Sequence, residues 1–465
     1  MDNFSGITPE EISETRRCLE FAVSHGASQA RICFGKSILD SIQLLNGEVD
    51  KVSRNADRSI TINLFVDGRY GVYSTNRTGT AEMEGFILKA IERTRMLTPD
   101  EFRKLPDPER YATDAVTGKE LGLYDETYGM ITPEARISAA LSGAIFSRLS
   151  NDSRYIPVSE ECEYSDSIDD NYTVDSQGFE GRHTETSFSF WSEITIEDRR
   201  GNRYSGYWWT ASPMMDRISI AGCSDKALER AVRQIGPKKH RGGKFTMVVD
   251  NLSSGRLAAP LLQALNASSI QQKDSFLDGT LGQQVFPEEL TVTDCARTPG
   301  QTGSRLFDSE GVATTECDII SEGTVRMYFT NTYSAEKMGI RPTVESPSRP
   351  VIRPFLKRKD GAVPANLNYG ENDLNLQAVL AEMQEGILVT GFNGGNCNRT
   401  TGNFSYGVEG FAFRNGKIIH PVKEMLVTGN MISLWKSIVA AGSDAREGAR
   451  WQIPTLAFAN VDFSG

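Results

Sequence analysis

Five two-residue turn signals punctuate this chain: Asn46-Gly47, Asp67-Gly68, Glu322-Gly323, Asp360-Gly361 and Asn415-Gly416. A tight hairpin needs positive φ at both central residues, which Asn-Gly and Asp-Gly supply at little steric cost. Strand-like runs flank the first two, at 30–34, 38–45, 59–66 and 70–74. Further alternating runs follow at 156–164, 172–175, 186–196 and 204–210. Helices are few and well marked. Thr8 can cap the first, Pro9 fits its first turn, Glu11 completes a capping box and Gly26 ends it. A second is expected over 81–97, turning Phe86, Ile87, Ala90 and Ile91 inward. Ile131-Thr132-Pro133-Glu134 repeats the opening words of the first helix, and another helix over 224–235 stops at Gly236-Pro237. A helical stretch is expected after Asn251, through Leu261, Leu262 and Leu265, with Pro260 in its first turn. A last helix is expected over 431–441, capped by Asn430 and ended by Gly442.

The pattern predicts an α+β fold. At 465 residues the chain exceeds one ordinary core. We expect an N-terminal α/β layer (1–115), a β-rich middle region (125–237) and a β-rich C-terminal domain with a few helices (241–465). The 50 basic and 61 acidic residues leave a net charge of −11, which disfavours nucleic acid and anionic membranes as partners. The basic cluster Lys238, Lys239, His240, Arg241 and Lys244 is expected to be a solvated linker. No run approaches the ~20 apolar residues of a membrane span, and the first residues lack a secretion signal's pattern. Seven scattered cysteines fit reduced thiols in a cytoplasmic protein.

The side chains that carry chemistry are sparse. His25, His183, His240 and His420 are the only histidines, and none has a second ligand at helical spacing. Ser405 in GNFSYG lies three residues after its glycine, so it lacks the nucleophile-elbow spacing and is expected on a hairpin or bulge. Residues 300–305 and 391–395 lack the features of phosphate-binding loops. The acidic stretch Glu160, Glu161, Glu163, Asp166, Asp169 and Asp170 is expected to form a solvated hairpin face. Of Trp208 and Trp209, neighbours on a strand, one is expected inside and the other exposed or at an interface. The glycine-rich segment 391–398 (GFNGGNCN) reads as a mobile loop.

Four segments together resemble the PmbA/TldE branch of the TldD/PmbA family. They are 273–288 (KDSFLDGTLGQQVFPE), 304–314 (SRLFDSEGVAT), 331–339 (NTYSAEKMG) and 401–430 (TGNFSYGVEGFAFRNGKIIHPVKEMLVTGN). The resemblance implies a cytoplasmic metalloprotease complex for small or unfolded peptides; an older label in the family is modulator of DNA gyrase. TldD-type subunits of that family carry zinc through a His-Glu-x-x-x-His element, which this sequence lacks. Gln263, Ala264 and Ser268 stand where those residues would be. Gln and Ser are poor zinc ligands, and Ala264 has no base to offer. The resemblance therefore implies a subunit without its own metal, paired with a zinc-bearing TldD-type partner or with itself. Arg305, Asp308, Asn403 and Ser405 are the candidate cleft residues, and exposed edge strands within 401–413 would bind peptide by strand addition. Two rival readings stand beside this one. One is a homodimeric metallopeptidase using His420 with carboxylates; the other is a non-catalytic scaffold linked to DNA gyrase control.

Overall fold

A computed structural model describes residues 6–77, 79–357 and 372–465. The Asp360-Gly361 turn signal lies outside them. The chain forms two compact units. The first comprises Met1–Arg230, Arg297–Thr315 and Asn331–Glu345; the second comprises Ala231–Ala296, Glu316–Thr330 and Ser346–Gly465.

The first unit is built on β1 (Gln29–Leu45), β2 (Glu48–Val66), β3 (Arg69–Thr75), β4 (Tyr155–Asp175), β5 (Glu180–Asp198) and β6 (Arg203–Ser212). They form one antiparallel sheet in the order β3-β2-β1-β4-β5-β6. Asn46 and Gly47 (φ 55° and 80°) and Asp67 and Gly68 (φ 50° and 71°) make the expected hairpin turns. The separate 30–34 and 38–45 runs are one strand, and β4 likewise runs unbroken. β1 pairs with β4 from Arg31↔Asp175 to Leu45↔Glu161, so the N-terminal and middle segments share a sheet. Two apolar cores lie along it. Helices Pro9–Ser24 and Thr80–Thr94 bury Cys18, Ala22, Ile87 and Ile91 against Ile32, Phe34 and Ile62. Helix Pro133–Gly143 places Ala140 in a core with Ile38, Tyr164, Phe188 and Phe190. The first helix has its capping box: Glu11 N donates to Thr8 Oγ1 (3.3 Å) and Thr8 N to Glu11 Oε2 (2.8 Å).

The acidic stretch is not a solvated face. Alternation along β4 turns Glu160, Asp166 and Asp170 inward, and all three are buried. Buried carboxylates need partners. Arg136 donates through Nε and Nη2 to Asp166 (2.7 and 2.9 Å), Arg182 pairs with Asp170, and Glu160 accepts from Ile145 N and Phe146 N. Trp208 and Trp209 are both half-buried, and Lys226 Nζ lies 4.8 Å from the Trp208 ring centroid.

The second unit contains β7 (Lys238–Lys239), β8 (Gly243–Val249), β9 (Val292–Asp294), β10 (Cys317–Ser321), β11 (Thr324–Val325), β12 (Pro350–Ile352), β13 (Phe355–Leu356), β14 (Glu385–Cys397), β15 (Asn403–Arg414), β16 (Lys417–Asn430), β17 (Ile438–Ala441) and β18 (Leu456–Ser464). Strands β9 to β12 form a small sheet in the order β11-β10-β9-β12. The others form the order β13-β17-β18-β8-β14-β15-β16-β7. β18 also pairs with β16, so β8, β14, β15, β16 and β18 close into a ring. Closure removes free edges. Helix Leu376–Met383 packs Val379, Leu380 and Met383 against Val248, Leu388 and Phe411 from the strands.

Four expectations for the strands and last helix of this unit need correction. Strand β15 is flanked on both sides by β14 and β16, so it is no exposed edge for an added peptide strand. Residues 391–398 fall largely on β14, because backbone pairing to β15 outweighs loop-like composition. The basic cluster is not a linker: Lys238 and Lys239 form β7, which pairs in parallel with Val422 and Lys423 of β16, and Lys244 lies on β8. The last helix ends at Lys436, and Ile438–Ala441 is strand β17, matching its β-branched start. Asn430 does cap that helix, its side chain accepting from Ile432 N at 3.1 Å.

Candidate functional site

A cavity of about 240 Å³ opens within the second unit, where three chain segments converge. The first segment is helix Gly255–Gln263, which contributes Arg256, Ala259, Pro260 and Gln263. The helix begins five residues before Pro260, so the proline is interior rather than in the first turn. It ends at Ala264. Asn266 then starts a separate short helix, Ala267–Gln271, by accepting from Ser268 N (2.9 Å) and Ser268 Oγ (2.6 Å). The helical stretch expected through Leu265 therefore stops short and a second helix follows, since the Asn side chain offers a local acceptor that restarts the turn.

The second segment carries Asp274 and Phe276. Ser275 Oγ donates to the Ala264 carbonyl at 2.5 Å and Phe276 N to the Arg399 carbonyl at 2.9 Å, tying this loop to the other two segments. The third segment is the end of β14 and the turn after it, supplying Asn396, Cys397 and Arg399. The β14–β15 register shifts between Asn393 and Asn396, where Gly394 and Gly395 have φ of 60° and 74°. A Cβ on Gly395 would sit 1.9 Å from the Ser405 carbonyl oxygen, so only glycine permits this bulge. The glycines of 391–398 thus deform a strand at the cavity rather than form a loose loop.

The cavity has a mixed lining. Arg256 Nη2 lies 3.4 Å from the Gly395 carbonyl, and its guanidinium carbon is 5.3 Å from the Tyr406 ring centroid. Asp274 Oδ1 accepts from Thr400 Oγ1 at 2.6 Å. The Cys397 thiol is half-buried, and burial pushes its pKa up, holding it protonated. Ala259, Pro260, Ala264 and Phe276 make the apolar wall.

Of the positions singled out from sequence, Gln263 and Ala264 line this cavity and Ser268 does not. Arg305 and Asp308 belong to the first unit; Asn403 and Ser405 belong to the second and are exposed on β15. The four do not gather into one cleft in either unit. Asp308 is buried, with Oδ1 accepting from Glu310 N (2.9 Å) and Val312 N (3.0 Å), so it ties its own turn together. Asn403 Oδ1 accepts from Asn430 Nδ2 at 3.0 Å. Ser405 sits opposite Asn396 in the ladder. Sequence reasoning missed Arg256, Asp274 and Arg399 as lining residues. No fixed spacing links them, because three segments distant in sequence deliver them.

Comparison with known proteins bears on this architecture. Profiles of the PmbA/TldA metallopeptidase family match in three stretches: domain 1 over residues 30–94, the central domain over 130–235 and the C-terminal domain over 242–465. A Bacteroides thetaiotaomicron protein, described as a candidate modulator of DNA gyrase, is 40% identical in sequence. Its crystal structure matches with a TM-score of 0.89, covering 99% of this chain and 100% of that one. The chain belongs to the PmbA/TldD metallopeptidase family. Metalloprotease PmbA of Escherichia coli O157:H7 is 26% identical over 467 residues, 98% of each chain. TldE from Thermococcus kodakarensis, 18% identical, shares the fold with a TM-score of 0.77 over 97% of this chain and 100% of its own. The family's three sequence domains thus correspond here to two compact units, because domain 1 and the central domain build one sheet.

Zinc, the metal that the family resemblance implies for its metal-bearing subunits, does not suit the three positions where the resemblance would place its ligands and base. Gln263 and Ala264 offer no imidazole or carboxylate, and the Ser268 hydroxyl already donates to Asn266. Among the described residues, no group of three or more His, Cys, Asp or Glu is placed to hold an ion. The histidines lie outside the cavity lining. His25 Nδ1 meets the Phe21 carbonyl at 2.8 Å, and His183 Nε2 lies 3.2 Å from Glu185. His240 and His420 each direct Nδ1 to a backbone carbonyl at 3.0 Å, with ring centroids 6.3 Å apart. Among the described residues, no helix is long and apolar enough to cross a membrane.

Proposed function

We propose that this chain is the PmbA/TldE-type subunit of a two-component cytoplasmic metalloprotease complex that cleaves small or unfolded peptides. In this reading it provides peptide-binding surface, and a TldD-type partner provides the zinc. The observation that carries the proposal is the chemistry at Gln263 and Ala264. These positions line a cavity of the family's C-terminal domain yet bear groups unable to hold or assist a catalytic ion. A cavity with no group of three metal-ligating side chains among the described residues suits a subunit that binds but does not cleave.

Reconstitution tests it. An unfolded peptide is incubated with this chain, with a TldD-type subunit, and with both, and zinc is measured in each sample. We expect zinc in the two samples that contain the partner, none in this chain alone, and strong cleavage only in the mixture. Equal cleavage by the partner with and without this chain would sink the proposal.

A second reading, a homodimer with its own metal, draws on the His240–His420 pair. Each carbonyl accepts, so each Nδ1 carries the proton and each Nε2 keeps a free lone pair, as in metal-binding imidazoles. Stoichiometric zinc in this chain alone, lost in His420→Ala together with peptidase activity, would favour it.

A further inference from the structure

The chain carries an excess of acidic side chains, and its arginines are commonly matched with them. Arg16 pairs with Glu180, Arg17 with Glu14 and Glu84, Arg136 with Asp166 and Asp40, and Arg297 with Asp114. The two arginines of the second unit's cavity depart from this. Neither Arg256 nor Arg399 has an ion-pair partner among the described residues; Arg256 meets only uncharged groups, the Gly395 carbonyl at the long distance of 3.4 Å and the Tyr406 ring at 5.3 Å. Asp274 is the one carboxylate in the lining, and it accepts from Thr400. Cys397 adds no charge while protonated. Two arginines against one aspartate leave the lining with a net positive charge.

Shape narrows the ligand further. At about 240 Å³ the cavity is below the roughly 300–1,000 Å³ of sites that enclose a drug-sized molecule. It suits the end of a longer ligand. The apolar lining includes Pro260, Ala264 and Phe276; the guanidiniums supply forked donors that match a carboxylate.

We propose that this cavity is a carboxylate subsite in which Arg256 and Arg399 hold the C-terminal carboxylate of a peptide, with its last side chain against Pro260 and Phe276. The subsite rests on the peptide-handling reading above and assigns it a polarity: the chain end enters here and the rest of the peptide extends outward. An acidic side chain would offer the same chemistry, so the test separates the two sources.

The experiment measures binding of three fluorescent, unstructured peptides to the full chain alone. One ends in leucine with a free carboxylate, one is its C-terminal amide, and one is an amide carrying aspartate at the penultimate position. We expect the free acid to bind about tenfold more tightly than either amide, as charge-assisted hydrogen bonds to one group would give. Arg256→Gln and Arg399→Gln should each lose most of that preference, and the double variant all of it. Arg414→Gln, at a solvent-exposed pair with Glu385, should keep it. Both cavity arginines are exposed, so unchanged thermal unfolding of the variants is expected. The free acid should also slow alkylation of Cys397, read by mass spectrometry, and the plain amide should not. Equal binding of acid and plain amide, absence of binding by all three, or a preference that survives in the double variant overturns the proposal. Binding of the aspartyl amide as tight as the acid's overturns its C-terminal assignment. The assay contains no partner and no cleavage step, so its failure leaves the reconstitution result standing, and the reverse also holds.

Discussion

Arg136 and Arg31 in the first unit are buried against carboxylates; Arg256 and Arg399 in the second are left exposed at a cavity. Arg136 is almost enclosed, with Asp166 at 2.7 Å and Asp40 at 3.3 Å. Arg31 lies 3.2 Å from Asp175, whose carboxylate also accepts from the Tyr111 hydroxyl at 2.7 Å. These groups hold β1, β4 and the helix above them in one register. Arg256 and Arg399 instead stand exposed beside apolar wall residues. Burying a charge couples it to stability, whereas leaving it at a cavity reserves it for a ligand. The contrast separates residues that make the fold from residues that use it.

The largest test of the contrast is Arg136→Met. Losing the guanidinium leaves Asp166 buried without its counter-charge and Asp40 with only Arg54, at 3.8 Å, a cost of about 3–5 kcal/mol. Urea unfolding followed by near-ultraviolet circular dichroism should show that loss, while Arg399→Gln should stay within about 0.5 kcal/mol of the parent. Comparable losses in the two variants would erase the distinction.

Asp308 gives the next effect. Burial, with the Glu310 charge beside it, raises its pKa from 3.8 to about 6 despite three backbone N–H donors. The folded state therefore holds this proton more tightly than the unfolded state. Its contribution to stability is fully present below pH 3.8 and is lost as pH rises through 6. At about 1.4 kcal/mol per pH unit, the gap amounts to roughly 3 kcal/mol. Asp308→Asn should flatten the fall in stability between pH 4 and pH 6, measured by urea midpoints across that range. An unchanged slope would show that Asp308 does not titrate there.

Local signals in the sequence were legible where one short-range interaction decides the geometry. The turns at Asn46, Asp67, Glu322 and Asn415 all have positive φ, as their Gly partners require, and the Thr8 box and Asn430 cap stand where the residues place them. What failed depends on pairing across the chain. The acids of β4 looked solvated because Arg136 and Arg182, which neutralise two of them, lie on other elements. Residues 391–398 looked mobile because the strand that orders them begins five residues later. Gln263 and Ala264 pointed to the cavity through the family resemblance, while Arg256 and Arg399 had no spacing to betray them.

The smallest test asks which face of β15 matters. Asn430 Nδ2 donates to the Thr401 carbonyl (2.7 Å) and Asn403 Oδ1, and its Oδ1 caps the helix that follows. Ser405 is exposed, with its backbone in the ladder. Asn430→Ala should cost about 1 kcal/mol, the usual value of a lost helix cap, and Ser405→Ala less than about 0.5 kcal/mol. If the cavity arginines hold the peptide, neither change should alter the preference for a free C-terminus. A Ser405→Ala variant of parental stability that lost this preference would move the binding surface from the cavity to the exposed face of β15, and with it the functional half of the contrast between the units.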